Sequence, residues 1–156
     1  MCMRYEVYTD GSCKGNPGPG GIGAVVYKDG AVEHTFSQGY YKTTNNRMEL
    51  RAIIEVLKKF GAVEVITVWT DSEYARKGIT QWMEGWKQNG WKRRERGRLQ
   101  PLKNADLWQE LDALVDDHVV FKWIKGHSNE EGNETADALA TRASARGPFM
   151  RDEGFA

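Results

Sequence analysis

Alternating apolar and polar positions, rich in β-branched residues, predict five strands in this chain. The predicted strands span about residues 4–10, 22–28, 32–41, 63–69 and 119–124. Asn16–Gly21, after the first strand, is rich in proline and glycine and predicts a tight loop. Asp29-Gly30 predicts a hairpin turn between the second and third strands.

Apolar residues at helical spacing predict helices between and after these strands. They run from the capping candidates Thr43–Asn46 to Phe60-Gly61, from Asp71 to about Trp86, from Pro101 to Val115, and from a cap at Asn133 to Ala143. The resulting order is βββαβααβα. It predicts an α/β fold in which helices flank a five-stranded mixed sheet.

Charge is distributed unevenly along a chain whose formal net charge is zero. The stretch Lys87–Lys103 holds seven basic residues and one acid, Glu95, so the remainder of the chain is acidic. Such a segment indicates contact with a polyanion, although a basic run taken alone is more often a solvated surface. We therefore expect an acidic site elsewhere in the molecule.

Length and cysteine content favour one soluble domain. The 156 residues include two cysteines, Cys2 and Cys13, which are not spaced as metal ligands, and no apolar run approaches a membrane span. No signal peptide is recognised, so we expect reduced thiols and a cytoplasmic protein. Residues 1–146 are predicted to form the domain, and residues 147–156, from Gly147-Pro148 onward, a loose tail.

Two similar sequence motifs each place an aspartate at the end of a predicted strand. Tyr8–Ser12 and Trp69–Glu73 each carry an aspartate, Asp10 or Asp71, at the end of a predicted strand. Either aspartate alone is more often a turn residue or a cap. Ligands of open α/β sheets bind at the strand ends, and two carboxylates brought together there repel each other. A divalent cation is the commonest reason for such a pair.

Several longer motifs closely resemble the bacterial type 1 ribonuclease H family. They are Thr9–Gly21, Thr43–Glu49, Thr70–Ser72, Gly78–Trp82, Lys103–Trp108 and Trp123–His127, and the resemblance spans about residues 4–146. It implies a ribonuclease H-like fold and hydrolysis of the RNA strand of RNA/DNA hybrids, leaving 5′-phosphate and 3′-hydroxyl ends. It also implies Mg²⁺ or Mn²⁺, and a monomer without an obligate protein partner.

The same resemblance assigns the catalytic residues. Asp10, Glu49, Asp71 and Asp137 correspond to the family's carboxylates, which hold two cations with Asp10 in a bridging role. Glu49 and Asp137 each lie about one turn inside a predicted helix, so both side chains can point toward the strand ends. His127 corresponds to a histidine that assists proton transfer or product departure, although alone it is simply an exposed loop residue.

The resemblance also predicts substrate contacts. Cys13, Asn16, Asn45 and Ser72 correspond to residues beside the 2′-hydroxyls, and Thr44 to a pocket for a DNA phosphate. Glu73 departs from the family, which commonly has glutamine there. The segment 78–103 resembles the family's basic protrusion, with a longer, more arginine-rich stretch at 93–98, and its candidate contacts are Trp82, Lys87, Trp91, Lys92, Arg93 and Arg94.

Two other functions remain open at this point. A hybrid-binding module that has lost catalysis has the same surface, but the presence of four carboxylates disfavours it. A DNA-cutting integrase or resolvase shares the fold, but the hybrid-contact and protrusion motifs disfavour it. Trp108 and Trp123 are interpreted as core residues, and Trp82 as either a packing or a substrate residue.

Overall fold

The predicted strands form one mixed sheet in this computed structural model, which describes residues 4–60, 65–125 and 131–155. Its strands are β1 (Tyr5–Cys13), β2 (Gly18–Lys28), β3 (Ala31–Thr43), β4 (Ile66–Thr70), β7 (Val119–Trp123) and β8 (Phe149–Met150), while β5 (Lys92–Glu95) and β6 (Arg98–Pro101) form a separate hairpin. The strand order is β7-β4-β1-β2-β3-β8. Pairing is antiparallel across β1-β2-β3 and parallel for β1-β4, β4-β7 and β3-β8.

Helices cover both faces of this sheet. They are α1 (Asn45–Phe60), α2 (Glu73–Lys77), α3 (Met83–Gln88), α4 (Ala105–Leu114) and α5 (Glu131–Arg146), and a π-helical segment, Gly78–Trp82, joins α2 to α3. Val7 of β1 lies in the core with Leu50 of α1, whereas the next residue, Tyr8, packs against Gly132 of α5. Because successive strand residues face opposite sides, α1 and α5 lie on opposite faces. No helix in the described parts of the chain is long and apolar enough to cross a membrane.

The glycines predicted to lie in a tight loop partly belong to β2 instead. A Cβ at Gly21 would lie 2.5 Å from the carbonyl oxygen of Ala140, and one at Gly23 would overlap the carbonyl oxygen of Ala136. Glycine is required at these two positions because the backbone of α5 lies directly on β2. The loop prediction for residues 16–21 was therefore wrong beyond Pro17, since β2 begins at Gly18.

The prediction of a loose tail was also wrong. Phe149 and Met150 pair with Gly39 and Tyr40 of β3, which adds a sixth strand to the predicted five. Asp152 is 2% exposed. The sequence pattern missed this packing because two paired residues and a single buried carboxylate leave no periodic signal.

Two smaller differences concern element boundaries. The basic stretch predicted only as an interruption between helices forms the β5-β6 hairpin, with positive φ at Arg96 and Gly97 in its turn. The last helix begins at Glu131 and not after a cap at Asn133. Asn133 lies in the first turn of α5, and its side chain is buried.

Candidate active site

Three carboxylates meet where the pairing of the two central parallel strands ends. The β1-β4 register stops at Tyr8 and Trp69, so Asp10 lies just past it on β1, and Asp71 follows the last residue of β4. Glu49 lies one turn inside α1. Asp10, Glu49 and Asp71 each offer one oxygen, and these atoms all lie within 4.8 Å of one another.

A close contact between β1 and α1 brings Glu49 to this place. A Cβ on Gly11 would lie 2.5 Å from the backbone nitrogen of Glu49 and from the carbonyl carbon of Met48. Glycine therefore lets the helix backbone approach the strand one residue after Asp10. The position of Glu49 follows from this contact.

Burial and like charge disfavour ionisation of the cluster. Burial, the Asp71 charge and a hydrogen bond with Asp137 raise the pKa of Asp10 to about 7. Burial, followed by the Asp10 and Asp71 charges, raises the pKa of Glu49 well above its ordinary value. The backbone N–H of Gly11 donates to Asp10 Oδ1 at 2.9 Å, while Oε2 of Glu49 is buried without a hydrogen-bond partner among the described residues.

This donor set fits a hard divalent cation. It consists of carboxylate oxygens, which Mg²⁺ and Mn²⁺ prefer as ligands. The unpartnered oxygen of Glu49 and the mutual repulsion of the carboxylates are both relieved by a cation. The Asp10, Glu49 and Asp71 cluster is therefore compatible with a divalent metal site.

The remaining two predicted catalytic residues come from the end of the chain. Asp137 of α5 is half-buried and shares a side-chain hydrogen bond with Asp10, so the structure brings it to the cluster. His127 lies outside the described residues.

Predicted contacts for the RNA strand converge at the ends of β1 and α1. The backbone N–H of Asn45 donates to Oδ1 of Asn16 at 3.2 Å, and both side chains are exposed. The Cys13 thiol donates to the carbonyl oxygens of Gly18 and Thr43, both at 3.5 Å. Asn16 and Asn45 are thus exposed and in contact near the end of β1 and the start of α1, whereas Cys13 of β1 is half-buried.

Two hydroxyls predicted to contact substrate cap helices in the structure. Thr44 Oγ1 accepts from the backbone N–H of Arg47 at 3.3 Å at the start of α1. Ser72 Oγ accepts from the backbone N–H of Ala75 at 3.1 Å at the start of α2. Each hydroxyl retains its own proton as a donor, so capping does not exclude a substrate contact.

Glu73 lies in a small groove beside Asp71. The groove has a volume of about 200 Å³ and is lined by Thr70, Asp71, Ser72, Glu73, Arg76, Trp123, Ile124 and Lys125. Oε1 of Glu73 lies 3.5 Å from Nη1 of Arg76, and both side chains are largely exposed. The Glu73 carboxylate is therefore partly neutralised by Arg76 of the same helix.

The predicted protrusion contacts divide into exposed and packed groups. Trp82 is 39% exposed, and Lys87 pairs with Asp112 at 3.4 Å. Trp91 packs, partly buried, against the main hydrophobic core. The preceding Gly90 and Trp91 itself both have positive φ, and this turn directs the chain into the hairpin.

Alternation along β5 places the hairpin's cations on opposite faces. Arg93 shares a face with Glu95, and their side chains form an ion pair at 3.1 Å. Lys92 and Arg94 lie on the other face, exposed, with Leu99 opposite Arg94. The two faces therefore differ in net charge.

A buried polar network surrounds Arg47 and is not apparent from the sequence pattern. Arg47 is 2% exposed and binds Asp106, Asp152 and the amide oxygen of Asn104. The motif Lys103–Trp108 supplies two of these partners, yet its pattern indicated no role. Asp152 lies in the segment predicted to be loose, so only the structure reveals it.

Comparisons with known proteins agree with this geometry. The family model described as RNase H matches residues 3–145. A ribonuclease H of Cronobacter sakazakii is 50% identical, covering 99% of this chain and 96% of the relative, and one of Yersinia enterocolitica is 48% identical, covering 99% and 98%.

A solved structure shares the fold at lower identity. The crystal structure of LC9-RNase H1, described as a type 1 RNase H with the type 2 active-site motif, is 35% identical, with a TM-score of 0.74 over 93% of this chain and 74% of that one. The family match and the near-complete coverage of curated relatives together show that this chain belongs to the ribonuclease H family of enzymes.

Proposed function

We propose that this chain hydrolyses the RNA strand of RNA/DNA hybrids endonucleolytically, with two divalent cations, leaving 5′-phosphate and 3′-hydroxyl ends. The observation that carries the proposal is the meeting of Asp10, Glu49 and Asp71, one oxygen from each within 4.8 Å, in a chain of the ribonuclease H family. Phosphodiester hydrolysis needs charge stabilisation at both the entering and the leaving oxygen.

The cluster and Asp137 would hold the cations, with Mg²⁺ the expected ion and Mn²⁺ able to replace it. A divalent cation bound there supplies positive charge to phosphate oxygens and makes water a stronger acid. Asp10 interacts with Glu49, Asp71 and Asp137, which supports a bridging role for its carboxylate. His127 is proposed to assist proton transfer or product departure.

The surface beside the cluster supports selection of an RNA strand. Asn16 and Asn45 expose amide groups that can donate to and accept from a 2′-hydroxyl. Cys13 and Ser72 are proposed to contact the RNA strand with them. Thr44, at the start of α1, is proposed to contact a DNA phosphate. Lys92 and Arg94 of the hairpin are proposed to contact the DNA backbone, together with Trp82 and Lys87.

The proposal extends to a monomer acting in the cytoplasm, as the family resemblance implies. Sedimentation of the purified chain tests the oligomeric state. A dimer that persists at assay concentrations would contradict this part of the proposal alone.

Cleavage of end-labelled nucleic acids tests the proposal as a whole. The panel is an RNA/DNA hybrid, single-stranded RNA, duplex RNA and duplex DNA with Mg²⁺, for wild type, Asp10→Asn and the remote control Glu33→Gln, which is exposed on β3. We expect hybrid-specific cutting that Asp10→Asn abolishes and Glu33→Gln retains. Tight hybrid binding without cutting in Mg²⁺ and Mn²⁺ would indicate a binding module, and cutting of duplex DNA a related nuclease.

A further inference from the structure

A buried carboxylate near the end of the chain holds the start of α1. Asp152 Oδ2 accepts from Thr43 Oγ1 at 2.6 Å and from Arg47 Nε at 2.7 Å. Asp152 Oδ1 accepts from Arg51 Nη2 at 2.7 Å. We call these four residues the Asp152 cluster. Burial raises the pKa of Asp152, but the hydrogen bonds from Arg47 and Thr43 outweigh it and bring the pKa below its ordinary value.

Backbone contacts extend the Asp152 cluster along the same segment. The carbonyl oxygen of Glu153 accepts from Arg47 and from Arg51, each at 3.1 Å. Arg47 also forms a bidentate pair with Asp106 at the start of α4, at 2.9 and 2.8 Å. A bidentate guanidinium contact fixes orientation as well as distance. The segment after α5 is therefore tied to both α1 and α4.

The Asp152 cluster brackets residues proposed to contact nucleic acid. Thr43 and Arg47 lie on either side of Thr44 and Asn45 in the chain. Because both flanking side chains bind the same buried carboxylate, that carboxylate sets the path of the backbone between them. The N–H of Asn45 then meets Oδ1 of Asn16.

The metal-binding carboxylates are held by a different contact. Glu49 lies against Gly11 of β1, where the two backbones have no room for a side chain between them. Asp10 and Asp71 lie on and after sheet strands. Arg47 and Arg51 flank Glu49 on α1, but the contact with Gly11 does not involve Asp152. We therefore expect Glu49 to stay against β1 when the Asp152 cluster is weakened.

We propose that Asp152 is a positioning residue for hybrid binding, which holds Thr43–Arg47 so that Thr44 and Asn45 meet the nucleic acid in a fixed geometry. This inference rests on the proposed function. It predicts that hybrid affinity depends on Asp152, whereas metal affinity and turnover do not.

The test compares Asp152→Asn with wild type and with Glu153→Gln, a matched control at the next position. Asparagine keeps the shape of the side chain but removes its charge. Glu153 takes part in the cluster through its carbonyl oxygen, and its carboxylate forms no hydrogen bond or ion pair with the cluster. The measurements are the Kd for the hybrid in EDTA, KM, kcat, the Mg²⁺ concentration giving half-maximal activity, and Tm.

We expect Asp152→Asn to raise both Kd and KM about tenfold, with kcat and the Mg²⁺ midpoint changing by less than about twofold. Glu153→Gln should match wild type. A purely structural role would lower Tm while leaving Kd and KM unchanged at temperatures where the variant is folded, and that result would overturn the inference. A fall in kcat at constant KM would also overturn it.

A second variant covers the case in which Asp152→Asn does not fold. Thr43→Val removes one hydroxyl and keeps the methyl group that packs beside Gly20. It should raise Kd in the same direction by a smaller factor, and an unchanged Kd in the folded variant would overturn the inference. Failure of the wild type to bind the hybrid would instead contradict the proposed function.

Discussion

The backbone nitrogen of Glu49 lies so close to Gly11 that a Cβ on the glycine would be 2.5 Å from it. Substituting Gly11→Ala forces α1 away from β1, and overpacking of this kind costs about 1–3 kcal/mol in the free energy of unfolding. Urea unfolding measures this loss, and metal affinity should fall with it because Glu49 moves.

Gly85→Ala is the matched control for this substitution. A Cβ at Gly85, in α3, meets no atom of the described chain within 4 Å. Alanine in a helix is favoured over glycine by about 1 kcal/mol, so this variant should be slightly more stable than wild type. Equal stability of Gly11→Ala and wild type would show that the strand-helix contact is looser than described.

Asp10→Asn should stabilise the protein in the absence of metal and abolish its stabilisation by metal. The substitution removes the buried charge of Asp10. In the wild type this charge is repelled by Asp71, and it raises the pKa of Glu49. We expect a higher Tm than wild type in EDTA at pH 7.5, and little further increase on adding Mg²⁺. Glu33→Gln serves as the control, and a lower Tm for Asp10→Asn in EDTA would contradict the described repulsion.

Stability of the metal-free wild type should fall as the pH rises from about 4 to about 7. The pKa of Asp10 is raised from 3.8 to about 7 on folding, so the native state holds more protons than the unfolded state within this window. The free energy of unfolding therefore decreases with pH there, by up to about 4 kcal/mol from this group.

Urea unfolding in EDTA at several pH values measures this slope. The difference between wild type and Asp10→Asn gives the contribution of Asp10 together with its effect on Glu49, and it should level off about one pH unit above the raised pKa of Asp10. A difference that does not change between pH 4 and 7 would contradict the raised pKa.

Arg94 and Arg93 provide a matched pair on opposite faces of the hairpin. Arg94→Ala should weaken hybrid binding and reduce the slope of log Kd against log salt by about 1, the effect of losing one phosphate contact. Arg93→Ala should have a smaller effect because Arg93 already pairs with Glu95 at 3.1 Å. Equal effects would show that the faces are not distinguished by the nucleic acid.

The whole arginine-rich stretch should also make binding steeply salt-dependent. Replacing Arg93, Arg94, Arg96 and Arg98 together with alanine should lower the affinity most at low salt. A wild-type salt slope equal to that of this variant would contradict a role for the hairpin in binding.

Glu73→Gln should tighten hybrid binding. The substitution removes a negative charge beside Asp71 and releases Arg76 from its ion pair with Glu73. A decrease in KM of about threefold is expected from the loss of phosphate repulsion at a solvent-exposed site. Glu33→Gln makes the same charge change at the other end of the sheet, and an equal decrease in that variant would assign the effect to net charge.

Periodicity and motif resemblance were sufficient to predict the central strands, α1 and the family, and the structure brings Asp10, Glu49, Asp71 and Asp137 together as the resemblance implied. These elements were predictable because burial on one face leaves a repeating pattern. The β5-β6 hairpin was not predicted because its strands are almost entirely exposed. Nor was the Asp152 cluster, since a contact between residues more than 100 positions apart has no local signature.

The glycines of β2 also determine where Asp137 lies. Gly21 and Gly23 accommodate the backbone of α5 at Ala140 and Ala136, so two residues along the strand match one turn of the helix. A helix seated at two such points cannot slide along the sheet without steric overlap. The position of Asp137 relative to Asp10 is therefore set by β2, a strand that has glycine, and no ionisable group, at both points of contact.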